Sequence, residues 1–344
     1  MNSSSTSRLS PCDPQGVAPR APLEQLHKSI SEYFSGIMKV IREPILHEYG
    51  KGIVTGDVAE KVFSLLTSRA YCYLSRRRTE RYKNEILQLL AHDIRHGRPI
   101  NFYYDVGGGY HASIDSGAPK LVYNIGLGEL FVLYQIASFC RNISQIYPAG
   151  VKFHLVVDNI CAYLVNDIPI EKTSGYCRQF RQLINSQGMS NKVDLLVENE
   201  AFSVEDYNCS MSRFDDSTDY NSLTVKEIEN VSRFTGHDCN AGEVITRIHR
   251  YKNITGISEQ LFDGIIKGVH MTQRSTARNL CFRSFPGGDS RIQTGQVAIT
   301  MNKKGRLQPV LLTSRNIQNY SCIRIQGIQL PILGDVLYVE AIYP

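Results

Sequence analysis

The chain has 344 residues, of which 42% are hydrophobic and 21% are charged, a normal composition for a globular protein with a sizeable core. Its formal net charge of +5 comes from 38 basic and 33 acidic residues spread along the chain, which argues against a nucleic-acid-binding protein with a clustered basic face. No apolar run approaches the roughly 18 residues that a membrane span requires, and the first residues lack the apolar core of a secretory signal. We therefore expect a cytoplasmic protein with reduced cysteines that binds neither nucleic acids nor membranes.

The first part of the chain is predicted to be helical. Residues 1–22 are rich in Ser and Pro and predict a disordered tail, after which residues 23–344 are expected to form a single α/β domain. Within residues 23–97, apolar side chains recur at helical spacing in three segments. These are Leu23 to about Leu46, a helix that starts near Asp57, and Thr79 to His96, which Gly97 and Pro99 terminate.

Residues 98–200 change to short apolar runs that alternate with helical segments. The predicted strands are Ile100–Tyr104, Lys120–Ile125, Val151–Asp158 and Lys192–Glu198, and the predicted helices are Glu129–Ile146 and Ser174–Asn185. This alternation predicts a Rossmann-like, mostly parallel sheet flanked by helices. Ligands bind at the carboxyl ends of the strands in such sheets, so Asp105 and Asp158 are candidate site residues.

Residues 201–344 are expected to form a helical and β-rich extension of the same domain. Helical patterns occur at Val225–Phe234, around Glu243–Tyr251 and at Ser258–His270. Strand-like runs follow at Asn279–Phe285, Gln296–Met301, Gln308–Leu312 and Val336–Ile342. These runs predict that the C-terminal part is rich in β-structure.

A glycine-rich turn, Asp105-Val-Gly-Gly-Gly-Tyr-His111, follows the first predicted strand. It is similar to the glycine loop of S-adenosylmethionine-dependent methyltransferases, but the next strand ends in Asn124 instead of an acidic residue. A turn that shapes another kind of active site and a purely structural turn are the other interpretations. His111 lies in this polar turn near a strand end, which favours a general base or a substrate contact over a packing role. No pair of histidines stands with a carboxylate at metal-ligand spacing, so no metal site is predicted.

Two groups of arginines indicate an anionic ligand. Arg76, Arg77 and Arg78 follow one another, and Arg278, Arg283 and Arg291 form a second group. The first group is interpreted either as a solvated cap of a helix end or as a phosphate clamp, because guanidinium groups bind phosphate with two hydrogen bonds. Glu129 opens a predicted helix, where the helix dipole alone favours a carboxylate.

Several of these segments, in order, resemble the isocyanide (isonitrile) synthase family, also called pyoverdine/dityrosine biosynthesis proteins. They include the three arginines, Gly97-Arg-Pro-Ile-Asn-Phe, the helix start at Gly128-Glu129 and residues 167–176. The most specific segment is Gln145-Ile-Tyr-Pro-Ala-Gly-Val-Lys-Phe-His-Leu-Val-Val-Asp158, which is similar to the turn, strand and acid of the family. The resemblance spans roughly residues 75–190, with a fainter likeness at Arg278–Pro286.

The resemblance implies an enzyme without metal or cofactor. Such an enzyme condenses the amino group of an amino acid, typically an aromatic one, with the carbonyl of a pentulose 5-phosphate such as ribulose 5-phosphate, and the sugar leaves one carbon on nitrogen as an isocyanide. We expect His111, Asp158 and Lys120 to act in catalysis. The residues expected to bind substrate or phosphate are Arg77, Arg78, Asp105, Glu129, Arg278 and Arg283.

One segment departs from the family. Where the family carries a Pro-x-Phe-Pro-x-Lys-Ser-x-Asn type of segment, this chain has Tyr104–Ser113, with His111 near the place of the lysine and Lys120 as the next lysine downstream. The sequence therefore predicts a divergent member that acts on small molecules. The alternatives are a transferase that uses S-adenosylmethionine at the Asp105–Gly109 turn and a non-catalytic relative that binds an amino acid or a partner protein. The oligomeric state is left open.

Overall fold

The computed structural model describes most of the N-terminal two thirds of the chain and a part of the remainder. The described residues are 23–43, 58–72, 79–113, 120–211, 254, 256–258, 260–262, 264–265, 267–271, 282–283, 296–312, 316–328, 330, 333 and 335–342. The predicted tail, the helices predicted at Val225–Phe234 and Glu243–Tyr251, and residues Arg77, Arg78 and Arg278 lie outside them.

The predicted alternation of helices and strands is present in these residues. The helices are α1 (Leu23–Arg42), α2 (Val58–Leu66), α3 (Lys83–Arg95), α4 (Leu127–Ser144), α5 (Asn159–Asn166), α6 (Ile170–Ser186), α7 (Glu198–Ala201) and α8 (Val204–Met211). The strands are β1 (Ile100–Asp105), β2 (His111–Ser113), β3 (Lys120–Val122), β4 (Val151–Val157), β5 (Val193–Val197), β6 (Val269–His270), β7 (Gln296–Met301), β8 (Leu307–Leu312), β9 (Tyr320–Ile325) and β10 (Val336–Ala341).

The central sheet has the strand order β5-β4-β1-β6, and its three pairings are parallel. Strands β1 and β4 align over their length, with Phe102 opposite Phe153, and the two rings stack 5.4 Å apart. The chain is therefore an α/β protein, as predicted. The helix predicted at Ser258–His270 is wrong at its end, because Val269 and His270 form β6 along β1.

The segment predicted as a sheet strand at Lys120–Ile125 does not join the central sheet. Residues Lys120–Val122 form β3, which pairs antiparallel with β2 in a separate hairpin. The physical reason is a nearer partner: the residues after Asp105 form the glycine turn and β2, and β3 pairs with β2 over His111–Ser113.

A second sheet lies in the C-terminal part, with the order β8-β7-β10-β9. Strands β7 and β10 pair parallel, and the two outer pairings are antiparallel. The prediction of β-rich structure in this part is confirmed, although strand β9 was not predicted.

Helix α4 contacts both sheets, through β4 on one side and β7 on the other. The sequence predicts one long amphipathic helix here, but its residues are buried on nearly every side, including the consecutive run Leu130–Leu133, so that prediction is wrong. One hydrophobic cluster includes Phe131 of α4, Phe153 of the central sheet and Ile299 of the second sheet. Among the described residues, no helix combines the length and the apolar character that a membrane crossing demands.

Candidate functional site at the carboxyl edge of the central sheet

Three neighbouring strands of the central sheet end in a buried acid. Asp105 closes β1, Asp158 follows β4, and Glu198 follows β5, with exposed fractions of 6%, 8% and 0%. Asp105 lies opposite Val156, and the Asp158 N–H donates to the Gly107 carbonyl at 3.1 Å. Because parallel strands place their carboxyl ends at one edge, the three acids lie along the same edge of the sheet.

The glycine turn after β1 packs tightly against the helices α5 and α6. A Cβ on Gly108 would lie 2.5 Å from the Ala162 Cβ of α5, and one on Gly109, whose φ is +81°, would lie 3.0 Å from the Thr173 Cβ of α6. The chain then continues into β2, whereas a nucleotide-type glycine loop opens a helix. Close packing against α5 and α6 thus accounts for both glycines without a cofactor.

Glu129 does more than cap its helix. One carboxylate oxygen accepts the Gly126 N–H at 2.7 Å, as expected in the first turn of α4, and the other accepts the Tyr176 hydroxyl at 3.0 Å. Burial and the adjacent Glu129 carboxylate raise the pKa of Tyr176 well above its ordinary value, and Asp158 adds to this effect. The Tyr176 hydroxyl therefore stays protonated and donates its hydrogen bond to Glu129.

The ends of β4 and β5 are joined by side-chain hydrogen bonds. The Asn159 amide donates to the Asn199 Oδ1 at 2.8 Å and to the Thr173 Oγ1 at 3.2 Å, and the Asn199 N–H donates back to the Asn159 Oδ1 at 3.2 Å. The Asp158 carbonyl accepts the Ala162 N–H at 2.9 Å at the start of α5. These bonds fix the backbone on which Asp158 stands.

Glu198 accepts hydrogen bonds from the beginning of α5 and from two hydroxyl groups. Its Oε2 accepts the Cys161 N–H at 3.0 Å, and its Oε1 accepts the hydroxyls of Tyr207 at 2.7 Å and Ser258 at 2.6 Å. Neither Glu198 nor Tyr176 was among the predicted site residues. For Glu198 the sequence carried a signal, since an acid follows an apolar strand just as at Asp158, whereas Tyr176 was marked only as the last residue of the family-like segment 167–176.

Arg283, the described member of the second arginine group, contacts the segment that ends at Cys72. Cys72 and Phe282 form an antiparallel bridge, and Arg283 donates from its main-chain N–H to the Tyr71 carbonyl at 2.9 Å and from its Nε to the Cys72 carbonyl at 3.3 Å. The Phe282 ring lies 5.5 Å from that of Tyr104 on β1. Arg283 thus lies beside Tyr71 and Cys72, and its phosphate-binding role stays a prediction.

The hairpin that follows the glycine turn carries two further candidates. His111 lies opposite Val122, and Lys120 lies opposite Ser113, at the two ends of the β2-β3 pairing. Their catalytic roles stay predictions, as do the phosphate-binding roles of Arg77, Arg78 and Arg278, which lie outside the described residues. Asp105, Asp158 and Glu129 are the predicted residues that the structure gathers with Tyr176 around one edge.

Comparison with known proteins agrees with the fold. No family model and no curated protein matches the chain. Among solved structures, the PvcA protein from Pseudomonas aeruginosa is similar with a TM-score of 0.53 and 14% identity, over 82% of this chain and 99% of PvcA. A tyrosyl-tRNA synthetase from Aeropyrum pernix, over 60% of this chain and 51% of its own, has 14% identity and a TM-score of 0.33, too low to support an argument. The chain therefore shares its fold with PvcA over nearly the full length of that protein.

Proposed function

We propose that this chain is an isocyanide synthase-like enzyme. It condenses the amino group of an amino acid with the carbonyl of a pentulose 5-phosphate, ribulose 5-phosphate, and forms an isocyanide. The observation that carries the proposal is the set of buried acids at the carboxyl edge of the sheet, with Asp158 at its centre. It is supported by the fold shared with PvcA, a member of the pyoverdine and isocyanide synthase family.

The chemistry assigns a task to each candidate residue. Formation of an imine and cleavage of the sugar carbon chain both require proton transfers, which Asp158 and His111 supply as general acid and base. Asp105 and Glu129 face the amine, because a carboxylate stabilises an ammonium group. Lys120 and Arg283 bind the phosphate together with the other predicted arginines, and neither a metal nor a cofactor takes part.

The glycine turn does not favour the alternative of an S-adenosylmethionine-dependent transferase. Its glycines pack against Ala162 and Thr173, and it leads into a strand instead of a helix. A binding protein without catalysis also has no specific feature in its favour. Three buried acids at one sheet edge favour an enzyme over a binding protein, because clustered buried acids are typical of catalytic sites.

The test is an incubation of the full-length chain with a panel of amino acids and ribulose 5-phosphate labelled with ¹³C at its carbonyl carbon. We expect a product in which the amine nitrogen carries one labelled carbon, detected by mass spectrometry. Asp158→Asn should abolish the product, while the matched variant Asp194→Asn, at the other end of the sheet, should retain it. Absence of labelled product from folded protein across the whole panel would refute the proposal.

A further inference from the structure

Asn159, the residue directly after Asp158, is a buried amide whose side chain bonds to two other helices. It is the first residue of α5 and is 1% exposed. Its amide nitrogen donates to the Thr173 Oγ1 of α6 at 3.2 Å and to the Asn199 Oδ1 of α7 at 2.8 Å, and its Oδ1 accepts the Asn199 N–H at 3.2 Å. A side-chain amide has two N–H donors and one oxygen, so every polar atom of Asn159 is bonded.

The partners of Asn159 require an amide at this position. The Asn199 main-chain N–H can only donate, so it identifies the atom that it contacts as the Asn159 oxygen. The Thr173 hydroxyl already donates to the Ile170 carbonyl at 2.6 Å, so toward Asn159 it can only accept. An aspartate of the same size has no N–H to offer, and a leucine would leave these buried groups without a partner.

These bonds close a ring of contacts around Asp158. On one side, the Asp158 N–H donates to the Gly107 carbonyl of the glycine turn at 3.1 Å. On the other side, Asn159 is bonded to Thr173, whose Cβ would lie 3.0 Å from a Cβ on Gly109 of the same turn. Because Asp158 and Asn159 are adjacent in the chain, the ring fixes the main chain that carries the Asp158 carboxylate.

We propose that Asn159 is a positioning residue that holds Asp158 in place for proton transfer. It acts through the main chain of Asp158 and needs no contact with substrate. Displacement of a catalytic group by about 1 Å lowers turnover about 100-fold, so a restraint of this kind has a measurable effect. The inference rests on the proposed function for the proton transfer by Asp158, but the restraint on the main chain can be measured without turnover.

The first readout is steady-state turnover of the full chain with ribulose 5-phosphate and the amino acid that gives product. Asn159→Ala should lower kcat about 100-fold and change KM less than about threefold, because it displaces an acid-base group without removing a substrate contact. The matched control is Asn142→Ala, near the C-terminal end of α4, where the amide donates to the Tyr71 hydroxyl at 2.6 Å. This control should keep both constants.

The second readout is hydrogen exchange of the same variants without substrate. Asn159→Ala should speed exchange at least about tenfold at the amides of Asp158 and Ala162, which bond to the carbonyls of Gly107 and Asp158. The amides of β4 should exchange as in the wild type. Asn142→Ala should leave exchange unchanged throughout this region.

Thr173 supplies a second pair of variants, which decides the question if Asn159→Ala does not fold. Thr173→Val keeps the size of the side chain and removes the oxygen that accepts from Asn159, so it should lower kcat and speed exchange in the same places. Thr173→Ser keeps that oxygen and should behave as the wild type. Equal effects of the two variants would contradict the proposal.

Two results with Asn159→Ala would overturn the assignment: an unchanged kcat, or wild-type exchange at Asp158 and Ala162. If the wild-type chain forms no isocyanide, the proposed synthase is refuted and exchange alone decides the role of Asn159. Faster exchange then supports the positioning of Asp158, and unchanged exchange refutes it.

Discussion

Two polar networks lie toward opposite ends of the same parallel sheet, and they are built differently. At the carboxyl edge, Glu129 and Glu198 accept hydrogen bonds from main-chain N–H groups and from the hydroxyls of Tyr176 and Tyr207. Toward the amino ends, acids are paired with cations. Neutral donors leave the negative charge of a carboxylate in place for a ligand, whereas ion pairs neutralise it.

The network at the amino ends connects three strands. The Asp93 carboxylate accepts the side-chain amide of Asn101 at 3.2 Å and the Arg98 guanidinium at 3.4 Å. The Asn101 Oδ1 lies 2.9 Å from the His154 Nε2, and the His154 Nδ1 lies 3.6 Å from Asp194. Each acid here has a basic neighbour, so this network stabilises the fold by ion pairing, whereas Glu129 and Glu198 are held by neutral donors.

The largest expected effect is on turnover at the carboxyl edge. Asp158→Asn should lower kcat by about 10² to 10⁴-fold, because it removes an acid-base group while keeping the size of the side chain. Asn keeps the shape of the Asp side chain, so a melting temperature close to that of the wild type would show that the loss of turnover does not come from unfolding. Labelled-product mass spectrometry and thermal unfolding measure both quantities. A variant with full turnover would remove Asp158 from the mechanism.

The next effect is on stability. Glu198→Ala leaves Cys161, Tyr207 and Ser258 without their common acceptor in a buried place, and should lower the free energy of unfolding by about 3 kcal/mol. Urea unfolding checks this value. The matched control is Glu200→Ala, whose exposed pair with Arg181 is worth less than about 1 kcal/mol. Equal losses for the two variants would contradict the role assigned to Glu198.

A smaller effect is expected from pH at the amino-end network. Burial lowers the pKa of His154 from 6.5 to about 4, with Asp194 opposing this shift. Between these values the unfolded chain binds a proton that the folded chain does not, so stability is complete above about pH 6.5 and falls as the pH drops toward 4. We expect a loss of about 2 kcal/mol between pH 7 and pH 5 from this group.

That loss is isolated by comparing variants in urea unfolding at both pH values. His154→Gln keeps an amide donor for Asn101 and should show a smaller pH dependence than the wild type. His96→Gln, at an exposed position, should reproduce the wild-type curve. An unchanged pH dependence in His154→Gln would show that this histidine is not the titrating group.

The smallest effect is expected at the outer end of the same network. Lys152 and Asp194 form an ion pair of 2.7 Å, and both side chains are more than a third exposed. Lys152→Ala should therefore lower the free energy of unfolding by less than about 1 kcal/mol and leave turnover unchanged. A large loss of turnover would mean that the network at the amino ends of the strands influences the carboxyl edge, and would contradict a purely stabilising role.

Sequence periodicity was sufficient for the framework of the central sheet. Strands β1, β4 and β5 are short apolar runs with breakers on both sides, so their positions and the acids that follow them can be read directly. Residues 145–158, which carry the most specific part of the resemblance, include β4 and the acid that follows it. These features are local, because a strand and the residue after it are adjacent in the chain.

The rest depended on contacts between distant segments. Lys120–Val122 has the composition of a sheet strand but pairs in a hairpin, and the burial of α4 on nearly every side appears only when both sheets are in place. Tyr176 reaches Glu129 across 47 positions, and Asn159 reaches Asn199 across 40 positions. By itself, the sequence determined which residues end the strands of the central sheet. Which side chains meet them was decided by tertiary packing, because burial and hydrogen-bond partners are properties of the folded chain.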